Sequence, residues 1–395
     1  MLNNTPARAP ASTSYIASVD LMRGLVMVLM GLDHVRWFFT DADFYPTDLS
    51  QTDAAQFFTR WITHLCAPAF VFLAGTSAFL SASQGLDRIR LARRLFIRGL
   101  WLVVLEVSAV RLAWVFNLDY SRLELGVIWA LGWSMVALSV LVYLPRLVIA
   151  SVGIAMIAGH NLLDGLQLDS FRAVDGSLQW QGWVLNVLHV PHSPVVYPLI
   201  PWVGVMAAGY AFGAVFLLPS SRRKQLMLGW GVTLIAAFIL LRLYNGYGDP
   251  DAWAPQETAL FTLLSFLNTT KYPPSLLFLL MTLGPTLILL SVFEHSRAGH
   301  DPISRLLTVF GRVSLFFYLL HLYVIHGLVI VFALLMNRGV EPFLQSFDAF
   351  PSWWGFNLGV VYVIWFAVTL LLYPACRWFA AFKRRHKNSW WTPYI

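Results

Sequence analysis

The sequence predicts an all-α fold, a polytopic membrane bundle of about ten transmembrane helices with both termini cytosolic. Three observations predict it. Of 395 residues, 58% are hydrophobic and only 12% are charged, with a mean hydropathy of +0.65; an ordinary soluble domain carries about 25% charged residues. Long apolar stretches recur along the chain, each near the ~20 residues that cross a hydrocarbon core. The larger basic clusters then fall in alternate loops, so they gather on one side. Disorder, a disulfide-stapled secreted scaffold and a typical soluble enzyme are excluded by this composition.

The apolar stretches, in order, are Leu21–Phe39, Leu65–Ala82, Leu95–Phe116, Leu125–Leu144, Leu147–Leu163, Tyr197–Leu218, Leu226–Tyr244, Ser275–Phe293, Ser314–Met336 and Phe356–Tyr373. None alternates polar with apolar residues, which sets strands aside. With the N-terminus in the cytosol, the clusters Arg88–Arg98, Arg222–Lys224 and Arg377–Lys387 all lie inside. The division is therefore a flexible cytosolic segment 1–19, a helix bundle 20–378 and a basic cytosolic tail 379–395. The first span retains Arg23, Asp33, His34 and Arg36 and precedes no small-residue cleavage site, so it reads as a retained helix. The location is an inner (plasma) membrane, with multiple passes and membrane lipids as neighbours.

The formal charge of +7 follows from the basic inner loops and calls for no nucleic acid. Cys66 and Cys376 fall at opposite membrane faces, so no disulfide is expected. No CxxC or Cys/His metal spacing occurs, so no metal is expected. Two outer loops, 164–196 and 245–274, are long and rich in Trp, Tyr, Pro and His. They read either as a rim for an acceptor or as interfacial segments with aromatic anchors. A homo-oligomer is compatible with the chain.

Ionisable groups inside a membrane are costly and are functional candidates by default. Arg23, Met27, Met30 and His34 share one stripe of the first helix. Arg23 and His34 are separated by roughly 16 Å of helical rise. The stripe either guides a long ligand with an anionic head or is a snorkelling arginine on a packing face. Asp33 and Arg36 are spaced for an ion pair, and Arg36 is also a candidate contact for a ligand. His34 and His64 are expected at similar depth, where either can serve as a general base or make a structural hydrogen bond. In the ninth stretch Ser314, Tyr318 and His321 share a face, and His326 points away. Tyr318 and His321 either contact donor or substrate or bond between helices. In the loop Asn268–Pro274, Asn268 and Lys271 are candidate binding residues for an anionic or hydroxyl-rich acceptor, or anchors. Arg88, Arg90, Arg93, Arg94 and Arg98 either hold nucleotide phosphates or mark topology and meet lipid headgroups. Glu106 and Arg111 have no role legible from their spacing.

Ser18-x-Asp20-x-x-Arg23-Gly24, Asp33-His34, and His64 with Pro68 and Phe70-Val71-Phe72-Leu73-Ala74-Gly75 resemble one family. It is the heparan-α-glucosaminide N-acetyltransferase catalytic-domain family, in its bacterial membrane-protein branch. Asn268–Pro274 and Gly311–His326 are similar to later blocks of that branch. The resemblance implies a membrane acyltransferase that takes an acetyl or similar group from cytosolic acetyl-CoA or another acyl-CoA. The acceptor is implied to be a glycan or amino sugar on the far side. It further implies a catalytic histidine. Eukaryotic members carry it in the loop after the first helix, where this chain has no histidine between Val35 and Thr63. The role passes to His34 or His64, with Asp33 orienting. The alternative reading is a secondary transporter or permease for a small polar solute, whose expected signs are paired broken helices and internal repeats.

Overall fold

The computed structural model describes residues 16–294, 301–345, 350–386, 389 and 392. Most of the segment expected to be a flexible N-terminus lies outside the described residues. Among those described the molecule is helical, with isolated β-bridges and no strand.

Helix α1 spans Ala17–Phe39, with Asp20 in its first turn and Arg36 in its last, both favourable to the helix dipole. Next come α2 (Ala54–Thr63), capped by Asp53, and α3 (Cys66–Ser83). Arg60 lies inside α2 and is buried. Helix α4 (Arg88–Leu105) is capped by Asp87, whose side chain accepts from the Arg90 amide at 2.8 Å. It continues through a π-turn at Glu106–Val110 into α5 (Arg111–Val115). That turn aims the Glu106 carboxylate at the start of α6 (Val127–Leu141), where it accepts from the Gly126 amide at 2.7 Å. Arg111 stacks on Tyr120 and donates to the Asn117 carbonyl at 2.7 Å, so it ties down the following loop. These are the roles spacing alone did not reveal.

Helix α7 (Arg146–Gly159) ends in a 3₁₀ turn, His160–Leu163. The short α8 (Trp180–Leu188) lies in the long loop that follows. Helices α9 (Leu199–Phe212) and α10 (Ser220–Tyr244) each start directly after a proline, which cannot extend a helix backwards. Then come α11 (Ala259–Leu267), α12 (Leu276–Phe293), α13 (Pro302–Arg312), α14 (Ser314–Leu335) and α15 (Leu358–Arg385). Asp301 and Ser304 close a capping box at the start of α13.

Among the described residues, seven helical stretches are long and apolar enough to cross a membrane: 54–83, 146–163, 199–217, 220–244, 276–293, 314–335 and 358–385. The chain is a membrane protein. The three remaining stretches counted from the sequence are helical too, but α1 and α4 carry several charges and α6 is short.

Helix α1 is the hub. It touches α2, α3, α12, α13, α14 and α15, so its charged residues face protein on most sides. Its contact with α13 is backbone against backbone. A Cβ on Gly24 would overlap the Leu307 carbonyl, and one on Gly311 would overlap the Asp20 carbonyl. Helices α3 and α9 meet in the same way through Gly75 and Gly209.

Candidate functional site

The helical stripe on α1 opens onto an internal cavity of about 300 Å³. Arg23, Met27, Met30 and His34 all line it, together with Asp33. Its walls come from α3, where Ala67, Ala74 and Ala78 leave room, and from α4, α6 and the start of α14.

One end of the cavity is basic. Arg23, Arg94, Arg98, Arg312 and Lys383 line it there, drawn from four parts of the chain. Arg23 is held in place by the Leu73 carbonyl at 3.3 Å and by Ser77 Oγ. Arg312 reaches Asp20 at 3.4 Å. The Nε of Arg98 is buried without a hydrogen-bond partner. Five cations around one opening suit a ligand that carries several negative charges.

The other end holds His34. Its Nδ1 lies 2.6 Å from His321 Nε2, and His321 Nδ1 lies 2.9 Å from the Phe317 carbonyl. These two distances assign the protons. A carbonyl only accepts, so His321 Nδ1 donates to Phe317. A neutral His321 then accepts at Nε2, and His34 Nδ1 must donate to it. His34 is left with a lone pair on Nε2, an atom that no hydrogen bond engages among the described residues. Trp114 and Tyr318 fix the ring from its sides, at centroid separations of 5.1 Å and 6.2 Å. His34 is thus a base whose tautomer is set by the ring behind it. His321 itself is fully buried.

Asp33 does not bond His34. Its Oδ1 accepts from Arg36 at 3.2 Å and its Oδ2 accepts from Arg60. Arg60 also donates to the Tyr45 hydroxyl at 3.1 Å. Lys271 reaches the cavity beside Asp33 and His34, with its ammonium 5.2 Å from the centroid of the Tyr272 ring. Arg36, Arg60 and Lys271 against the single Asp33 leave this end positive, which favours charge developing on an oxygen. The hydroxyls of Tyr272 and Tyr197 are 3.5 Å apart. Burial alone would raise the Tyr272 phenol, but the Lys271 and Arg60 charges outweigh it and hold the phenol down to about 8.

His64, Arg36, Asn268 and His326 lie outside the cavity lining, and Arg36 makes the ion pair with Asp33 that its spacing predicted. His64 is the C-cap of α2, with its ring 5.2 Å from that of Phe278. Arg36 is buried and spends its guanidinium on Asp33. Asn268 donates to the Thr47 carbonyl at 3.0 Å and offers its own carbonyl to Arg242, so it closes a loop. His326 has both ring nitrogens on backbone carbonyls, those of Ala113 and Phe343. Tyr318 and Lys271 line the cavity, and His321 backs His34. Sequence spacing did not bring His321 to His34, since they lie 287 positions apart. Nor did it bring Arg312 and Lys383 to Arg23, or Arg60 to Asp33.

A family model described as heparan-alpha-glucosaminide N-acetyltransferase, catalytic, matches residues 16–244, more than half of the chain. No curated protein matches it. The matched region contains α1 through α10, and so it includes Arg23, Arg94, Arg98, Asp33 and His34.

Proposed function

Given that the chain belongs to the heparan-α-glucosaminide N-acetyltransferase catalytic family, we propose that it transfers an acetyl or similar acyl group from acyl-CoA to a sugar amine or hydroxyl. Membership of that family points to a membrane acetyltransferase. The observation that carries it is one continuous cavity with a basic mouth at one end and an imidazole with a free lone pair at the other.

The five basic residues at the mouth suit the phosphates of a nucleotide-bearing thioester. The slender arm would then run along the Arg23–His34 stripe, about 16 Å of helix, between apolar walls. A tether of this kind fixes the reacting carbonyl near His34 and supplies much of the rate through orientation. His34 Nε2 takes the proton from the acceptor nitrogen or oxygen as that atom attacks the thioester carbonyl. The tetrahedral oxygen gains negative charge beside Lys271. As the carbon–sulfur bond breaks, the departing thiolate takes the proton back from His34. Throughout, His34 Nδ1–H stays on His321, which stabilises the transient imidazolium. Asp33 acts at one remove, holding Arg36 and Arg60 in place.

In this reading all ten apolar helices cross the bilayer and both termini lie in the cytosol, with the basic mouth on that side. The membrane is the plasma membrane of a bacterial-type cell, and the acceptor arrives from outside. The test is purified protein given radiolabelled acetyl-CoA and a panel of amino sugars and glycans. Labelled product and stoichiometric free CoA support the reading. Failure to bind or consume CoA, with uptake of a polar solute in proteoliposomes, supports a transporter instead.

A further inference from the structure

A second polar cluster lies apart from the His34 cavity. His160 opens the 3₁₀ turn at the end of α7, Asp164 follows that turn, and His189 caps α8. One ligand atom from each lies within 4.8 Å of the others. His189 Nε2 is 3.1 Å from Asp164 Oδ1, about the edge of a tetrahedron around one small cation. Asn161 Nδ2 donates to Asp164 Oδ2 at 2.8 Å, which orients the carboxylate and leaves Oδ1 turned toward the histidine.

The hydrogen bonding around these rings is incomplete. Each ring is only 2% exposed. Yet no hydrogen bond of ordinary geometry reaches either nitrogen of His160, whose ring meets only the Pro274 backbone at longer range, and Nδ1 of His189 has none either. Buried polar atoms are ordinarily satisfied, and three orphaned nitrogens on two neighbouring rings are an exception that needs a cause. The ring centroids are 5.6 Å apart. The cluster also opens on a surface cavity of about 550 Å³, lined by Asp164, His189, His192, Asp169, Thr270 and Tyr272.

We propose that His160, Asp164 and His189 form a site for a zinc-class transition-metal ion, with a fourth coordination position facing this cavity. Two imidazoles and one carboxylate are a borderline donor set, suited to Zn²⁺ and its neighbours and poor for Ca²⁺ or Mg²⁺, which take oxygen ligands. The ion supplies the partner that His160 lacks. It also joins α8 and its loop to the end of α7, two segments that otherwise meet through few elements. No short metal spacing marks the group in the sequence, because His189 enters from 25 residues beyond Asp164. The inference does not depend on the acetyltransferase reading.

The experiment uses tag-free protein, purified in detergent, so that no affinity tag binds metal. Metal content is measured by mass spectrometry, and chelator-treated protein is titrated with Zn²⁺ and with Co²⁺. The proposal expects about one equivalent of metal per chain. It also expects visible bands of four-coordinate cobalt, and a melting temperature that falls on chelation and returns with zinc. Asp164→Asn and His160→Asn should each weaken zinc binding by 100-fold or more, as removal of one of three ligands does. Asn161→Ala should weaken it ~10- to 100-fold through the outer shell. If a variant fails to fold, the wild-type content, cobalt spectrum and melting shift still decide the matter. No metal, no cobalt bands and no response to chelator overturn the proposal. So does undiminished binding in the folded variants.

Discussion

Replacing His321 isolates the role of a ring that touches no cavity space. In His321→Leu, the His34 Nδ1–H loses its acceptor at 2.6 Å and stays buried among Trp114, Tyr318 and an added methyl surface. A buried donor without a partner costs about 1–3 kcal/mol. Because this bond strengthens when His34 becomes an imidazolium, the cost falls on the transition state. At ~1.4 kcal/mol per factor of ten, turnover should fall about 5- to 150-fold. The donor KM should stay within about twofold, since the basic mouth is untouched. His321→Gln should recover part of the loss, because its side-chain oxygen can accept from His34. The assay is steady-state release of CoA thiol from acetyl-CoA in the presence of a working acceptor, on variants with wild-type elution profiles. Unchanged turnover in His321→Leu, or a loss confined to KM, would refute the proton assignment and the pairing behind it.

At the opposite end of the cavity, Arg98→Ala should raise the donor KM about tenfold with turnover little changed, as the loss of a charge-assisted contact does; titration of CoA by calorimetry checks it. Gly209→Val should lower thermal stability by about 1–3 kcal/mol or more through overpacking, because its Cβ would overlap the Phe72 carbonyl of α3. The readout is the melting temperature in detergent. Tyr272 predicts a pH effect. Its phenol is held down to about 8, against about 10 in an unfolded chain. The folded protein therefore loses this proton first. The stability Tyr272 contributes is lost as pH falls through about 8, and it grows from about pH 8 to 10, by ~1.4 kcal/mol per unit. The difference in melting temperature between wild type and Tyr272→Phe should widen across that window.

The helices and the cavity stripe were legible because both depend on local pattern. Apolar runs of membrane length give helices whatever their neighbours, and Arg23, Met27, Met30 and His34 share a face by helical spacing alone. What joins distant segments was not legible. His34 meets His321 only because α14 packs against α1. His64 lies near the same charges as His34, those of Asp33, Arg36, Arg60 and Lys271, but α2 is inserted before α3 and the His64 ring sits against Phe278, outside the cavity lining. Asp33, which directly precedes His34, was expected to orient the catalytic histidine, whether His34 or His64. Yet successive residues on a helix point about 100° apart, and its carboxylate meets Arg36 and Arg60 instead.

The central claim is that His34 Nε2 is the base at the meeting point of thioester and acceptor. The direct measurement compares pre-steady-state CoA release by wild type, His34→Gln and His64→Gln, with CoA affinity measured on the same samples. The account predicts a loss of about 10²- to 10⁴-fold in turnover for His34→Gln, with CoA affinity within a few-fold of wild type. It predicts that folded His64→Gln keeps turnover within a few-fold. Wild-type turnover in His34→Gln, or the large loss falling on His64→Gln instead, contradicts it.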